Sequence, residues 1–353
     1  MTGWAAGRDS VKRGGGVDRA GAMGYKYRPG TPIADSRGRG HASAGADGSG
    51  GMIVDCHTHV WESLDQLGRG TGLWESCGRG YGLSGPPRAA TADHLTAADP
   101  VDKTFVLAFK SHHLDAEVPN EFVAAYVRQH ADRLVGFAAV DPSCPSEAID
   151  DLRRAYEKLG MQGVTVWPAA QDFHPASSGA MRIYAEACRL RTPVIFDLDV
   201  QASPTSRMEF ARPYLLDEVA REFPGLSIVV SQLGHPWIEE TLALLGKHDH
   251  VLADISGLLH HQWQAYNALV LAYQAGVMDK LLFGSNFPYT LPAVCIESLY
   301  SINHLCHGTN LPTIPREQLR RIVERDALEV LGIESRSAPV TREPNRTVIQ
   351  TED

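Results

Sequence analysis

Five consecutive residues, Asp55-Cys56-His57-Thr58-His59, bring together a carboxylate, a thiol and two imidazoles. They follow Met52, Ile53 and Val54, an apolar run that reads as the start of a β-strand. Residues two apart in a strand share a face, so His57 and His59 are expected to point the same way. Two imidazoles at that spacing suit one divalent ion, zinc or manganese. Two ligands do not make a site, and a hydrogen-bonded histidine pair at a strand end has the same spelling. Cys56 continues the apolar run and is expected in the core.

The elements that must carry these residues show in the apolar pattern. Short β-branched or aromatic runs lie at Met52–Cys56, Lys103–Phe109, Leu134–Val140, Gly163–Trp167, Pro193–Leu198, Leu226–Ser231, Val251–Ile255 and Lys280–Gly284. They are mostly continuous rather than alternating, as in parallel strands buried on both faces. Amphipathic stretches lie between and after them, at Asn120–Ala131, Ser146–Leu159, Gly179–Leu190, Phe210–Phe223, Pro236–Lys247, His261–Ala275 and Pro315–Leu331. Eight strands alternating with helices predict a (β/α)8 barrel of the TIM type over residues 52–333. No GxGxxG directly follows an early run (the GYGLSG at 80–85 lies over twenty residues beyond the first), which disfavours an open doubly wound sheet.

In such a barrel the chemistry sits at the C-terminal strand ends. His112 and His113 follow the second run and are candidates for binding a substrate carboxylate, with a solvated loop as the other reading. Trp167 ends the fourth run, as a pocket wall for a planar substrate or as core, and His174 follows it as a substrate or loop residue. His235 precedes Pro236, which suits a first helical position. A histidine there has its charged form disfavoured, which makes His235 the candidate proton-transfer group. Trp61 opens a Gly- and Trp-rich segment, Val60–Ala98, expected as an insertion on the same face and a possible lid, with Trp61 touching substrate. Tyr289 shapes the rim, whereas His248 and His250 precede the seventh run and belong to the opposite, stability face.

MIVDCHTHVW, together with VGFAAVDP, GMQGVTVWPAAQDFHP, TPVIFDLD, VVSQLGHPW, HDHVLADISG and LLFGSNFP in that order, resembles the amidohydrolase superfamily. The nearer likeness is its amidohydrolase-related branch, with aminocarboxymuconate-semialdehyde decarboxylase and the hydroxybenzoate decarboxylases. The resemblance implies a distorted barrel and either metal-assisted hydrolysis or non-oxidative decarboxylation of a small carboxylic acid or lactone. It also implies changes at the site. The family usually has His where this chain has Asp197, His where it has Gln232, and a ligating, proton-transferring Asp where it has Asn286. An asparagine amide takes up no proton near neutral pH, so Asn286 would only position substrate or water. Gln232 is a poor metal ligand beside imidazole and is retained as a substrate contact. Asp254, in ADISG, is ordinary for the family, as a support residue or a loop cap.

Three readings stay open. His57, His59 and Asp197 form a reduced metal site for zinc, iron or manganese, with Asp197 also catalytic. Alternatively the pocket works without metal through Asp197, His235 or His57. In the third reading, catalysis is lost and the barrel binds a small ligand or partner.

Composition bounds the rest. The chain has 353 residues, 43% hydrophobic and 21% charged, as expected of a globular protein. The net charge of −9 argues against nucleic acid and acidic membranes as partners. No run of about 18 apolar residues occurs, so no transmembrane span is expected. No secretory h-region is evident, and the six cysteines include no CxxC, so reduced thiols and a cytoplasmic location are expected. Residues 1–51 are Gly-rich and basic and read as a disordered arm, unless Met52 is the true start; residues 334–353 read as a flexible tail. No GxSxG and no Walker loop occur. The expected partner is a small-molecule substrate, and the resemblance implies a homodimer.

Overall fold

The computed structural model describes residues 51–71, 87–199 and 203–333. The expected arm, except Gly51, the tail, and residues 72–86 of the expected lid lie outside the described residues.

All eight predicted strands form, in the predicted order. They are β1 (Val54–His59), β2 (Lys103–Leu107), β5 (Leu134–Ala139), β6 (Gly163–Val166), β7 (Val194–Phe196), β8 (Ile228–Val230), β9 (Val251–Asp254) and β10 (Leu281–Leu282). Each pairs in parallel with the next. The ring closes from the last strand to the first: Cys56 N donates to Phe283 O at 2.9 Å, and Asn286 N donates to His57 O at 2.9 Å. Between β2 and β5 the chain adds an antiparallel hairpin, β3 (Phe109–Ser111) and β4 (Ala116–Val118), that the sequence pattern did not announce.

The helices are α1 (Thr91–Ala97), α2 (Asn120–Gln129), α3 (Pro145–Arg154), α4 (Ser178–Leu190), α5 (Leu216–Glu222), α6 (Ile238–Lys247), α7 (Gln262–Gln274), α8 (Pro292–Tyr300), α9 (Arg316–Val323) and α10 (Ala327–Leu331). Two expected helices are broken. Phe210–Phe223 yields 3-10 turns and then α5, because Pro213 cannot donate inside a helix. Pro315–Leu331 divides into α9 and α10, where the Asp326 side chain accepts from Leu328 N and Glu329 N and starts a new helix. Helix α6 begins at Ile238, two residues later than Pro236 suggested.

Inside the ring, Val54, Phe105, Val135, Phe137, Ile195, Val229 and Leu252 form one apolar cluster, which Leu328 and Leu331 of α10 cover from below. Outward residues such as Val194, Phe196, Val251 and Ala253 pack against the helices. Among the described residues, no helix is long and apolar enough to cross a membrane.

Candidate active site

Strand alternation delivers two acids to the barrel mouth. On β7, Ile195 faces in while Val194 and Phe196 face the helices, so Asp197 faces in at the upper end. On β9, Asp254 follows the inward Leu252 by the same rule. β1 breaks the rule. Val54 and Cys56 face the interior, and strict alternation would send His57 and His59 outward. The β1–β2 register shifts between Asp55 and Thr58. This bulge re-aims the chain. His57 and His59 turn in, while the Thr58 hydroxyl donates to Phe105 O at 2.6 Å and lies 2.9 Å from His94 Nε2 of α1.

The two histidines then meet Asp197. His57 Nε2 lies 3.1 Å from His59 Nε2 and 3.3 Å from Asp197 Oδ2. The three donor atoms all fall within 4.8 Å of one another, and all three residues are buried. Donors sharing one ion at about 2.1 Å stand about 3.0–3.4 Å apart, so this set fits a metal. Two ring nitrogens facing each other need a proton or a cation between them.

Asp254 fixes which nitrogen is offered. Its Oδ2 accepts from His57 Nδ1 at 3.1 Å. Its Oδ1 accepts from Gln232 N at 3.0 Å, from Ser256 N at 2.9 Å, and from the Ser256 hydroxyl. A carboxylate on Nδ1 leaves Nε2 as the ring atom that could ligate an ion, an arrangement of the kind that supports metal-bound histidines. Asp55 ties the same strand to the segment after β10: its Oδ1 accepts from Ser285 N at 2.8 Å, while its buried Oδ2 has no partner among the described residues.

The charges are strongly coupled. Burial opposes charge on His57, but Asp254 and Asp197 outweigh it and push its pKa up to about 10. Burial and the His57 charge push His59 down to about 3. Burial works against the Asp197 carboxylate, yet the hydrogen bond and charge of His57 hold its pKa below the usual value. Burial raises Asp55 to about 6. The mouth therefore demands one positive centre between carboxylates, which a bound cation satisfies as a proton does.

A pocket opens above this cluster. Of the residues singled out from sequence, His59, Trp61, Trp167, Asp197, Gln232, Asn286 and Tyr289 line it. Trp167 packs edge-on to His59, with ring centroids 5.6 Å apart, and its buried indole N–H has no partner among the described residues. Gln232 and Asn286 adopt left-handed backbone, with φ of 52° and 64°. Asparagine tolerates that region; glutamine does so at a cost of about 1 kcal/mol, a strain of the kind found at functional sites.

His57 lies fully buried beneath the lining, and four other candidates are not brought to it: His112, His113, His174 and His235. The β3–β4 hairpin carries His112 and His113 outward, where His112 Nδ1 meets Asp141 Oδ2 at 2.9 Å and His113 meets the Thr205 hydroxyl at 3.1 Å. His174 Nδ1 accepts from Ala176 N at 3.1 Å and its ring meets Phe210, so it organises its own loop. His235 follows the left-handed run Gln232-Leu233-Gly234, and α6 starts beyond it. Helix-end stabilisation of a neutral ring therefore does not apply there; burial, with a smaller push from His261, lowers its pKa.

Asp199 also lines the pocket and was missed. The signal was available: Asp197 and Asp199 stand two apart at a strand end, as His57 and His59 do. Phe109 and Val118, from the unforeseen hairpin, complete the wall.

Residues 54–333 match the family model described as Amidohydrolase, and the chain belongs to that family. Its solved structural neighbours include members of the decarboxylase branch. An uncharacterised TIM-barrel protein from Bordetella bronchiseptica superposes with a TM-score of 0.64 at 19% identity, covering 80% of this chain and 98% of its own. A probable 2-pyrone-4,6-dicarboxylic acid hydrolase from Acinetobacter baumannii, with citric acid bound, gives 0.56 at 16% identity, covering 79% and 99%. A 5-carboxyvanillate decarboxylase from Novosphingobium aromaticivorans, complexed with manganese and 4-hydroxy-3-methoxy-5-nitrobenzoic acid, gives 0.57 at 14% identity, covering 80% and 97%. No curated protein matches the chain.

Proposed function

We propose that this protein hydrolyses or decarboxylates a small carboxylic acid or lactone at the barrel mouth, with one divalent ion, zinc or manganese, held by His57, His59 and Asp197. The observation that carries the reading is the convergence of His57 Nε2, His59 Nε2 and Asp197 Oδ2, with Asp254 behind His57. Similarity to a manganese-bound decarboxylase and a pyrone hydrolase supports the substrate class.

The ion, when bound, polarises a substrate oxygen and stabilises negative charge that develops on it. The chain's own groups do the rest. The unpartnered Trp167 N–H donates to a substrate oxygen, which removes the cost of a buried idle donor. The Asn286 and Gln232 amides orient the substrate by hydrogen bonds and transfer no proton. With His235 outside the lining, Asp199 is the pocket carboxylate beyond the metal set, and it carries the proton. Leu67, Phe109 and Val118 form an apolar wall that excludes water from the reacting atoms.

The test is metal content and turnover of the full chain loaded with zinc or manganese, beside His57→Ala. The expected result is loss of about one metal equivalent per chain and of turnover on a panel of aromatic acids and lactones. Equal metal content in both proteins overturns the ligand set. Metal loss without turnover on any acid or lactone in the wild type favours the ligand-binding alternative.

A further inference from the structure

A second cluster of metal-capable groups lies outside the mouth, where two chain segments meet. His112 comes from the turn of the β3–β4 hairpin, Cys144 directly precedes α3, and Glu147 lies in the first turn of α3. One donor atom from each lies within 4.8 Å of the other two. The histidine is held as a ligand would be. Asp141, itself fully buried, takes both the backbone N of His112 at 2.7 Å and its Nδ1 at 2.9 Å. With Asp141 on Nδ1, Nε2 is the ring atom turned toward Glu147, 3.7 Å from its Oε1. A buried carboxylate behind an imidazole is the support that metal-binding histidines use. The His112 side chain is 42% exposed, so an ion can reach the ring from solvent.

We propose that His112 Nε2, Cys144 Sγ and Glu147 form a second metal site, selective for zinc or a similarly thiophilic ion, with Asp141 as its positioning residue. Imidazole, thiolate and carboxylate together suit zinc and leave a fourth position for water. Lys110 Nζ sits 2.6 Å from Glu147 Oε1 and 2.7 Å from Asp151 Oδ2. Glu147 shares the ammonium with Asp151, and a carboxylate offers about four lone-pair positions, so Glu147 keeps capacity for an ion. The thiol proton goes to solvent on binding, since the ligand is the thiolate. The ion would staple the hairpin to the loop after β5. That hairpin contributes Phe109 and Val118 to the pocket wall, so the staple would steady the wall from outside.

The test separates this site from the mouth by its sulfur. Cobalt(II) added to the metal-free full chain should give a near-ultraviolet thiolate-to-cobalt charge-transfer band. The band should vanish in Cys144→Ser and in His112→Ala, and persist in His57→Ala. Asp141→Asn should keep the band but weaken zinc binding about 10- to 100-fold. No band in the wild type, or a band unchanged in Cys144→Ser, overturns the site. Neither result bears on the mouth, whose metal is read from the His57→Ala difference.

Discussion

The mouth of the barrel and the interior beneath it are built from the same strands to opposite rules. Beneath the mouth the inward side chains are mainly apolar: Ile195 stands two residues before Asp197, Phe105 and Phe137 stack with centroids 4.7 Å apart, and Leu328 and Leu331 close the floor. At the mouth, His57, Asp197 and Asp254 are buried just as deeply, yet they are ionisable and mutually dependent. Burial below stabilises the fold through apolar area. Burial above works against each charge and is tolerated because the charges satisfy one another. The contrast teaches that depth does not distinguish structure from function in this barrel; what the buried atoms need from one another does.

Two glycines repeat the contrast. A Cβ on Gly163 would lie 1.9 Å from the Phe137 ring, so the interior packing requires glycine there. A Cβ on Gly284 would stand 3.1 Å from the Cβ atoms of His57 and Ser256, so glycine there lets β10 close against the site.

The largest expected effect tests the interior. Phe137→Ala should cost about 3–5 kcal/mol of stability, read by chemical denaturation, while kcat per folded molecule and metal content hold. A loss of metal at unchanged stability would erase the distinction. Next comes the mouth: Asp254→Asn should weaken metal binding about 10- to 100-fold with little change in Tm. A collapsed Tm with intact metal binding would make Asp254 a structural residue. Gly284→Ala mixes both regimes, and about 1–3 kcal/mol of overpacking should come with a measurable fall in metal affinity, since His57 must shift.

The smallest effect concerns the far face, where Asp217 accepts from His248 at 2.8 Å and pairs with Lys247. Lys247 and His248 push its pKa down to about 2, below the roughly 3.9 of an unfolded chain. Its contribution is thus complete above about pH 4 and fades as pH falls through about 2. Because the group is partly exposed, Asp217→Asn should cost under about 1 kcal/mol at pH 7. The difference from wild type, followed by urea denaturation against pH, should shrink toward pH 2. A difference that does not change with pH would mean packing, not charge, is lost.

Much of this was legible in the chain. Eight continuous apolar runs and their intervening amphipathic stretches call for a parallel sheet covered on both faces, and their number points to a closed barrel. Period two alone places His57 with His59 and Asp197 with Asp199. Resemblance singled out Asp197, Gln232 and Asn286, and all three line the pocket. Pattern could not say which face a strand end presents. With Val54 and Cys56 inside, only the bulge between Asp55 and Thr58 turns the histidines inward, and it depends on how β1 pairs with β2. Nor could it say that His112 and His113 leave the mouth, because that follows from a hairpin of three-residue strands, too short to leave a periodic signature. The local spelling therefore determined which residues travel together. The tertiary structure decided where they arrive, because a metal-capable cluster is a property of distances between strands, and those distances exist only once the barrel has closed.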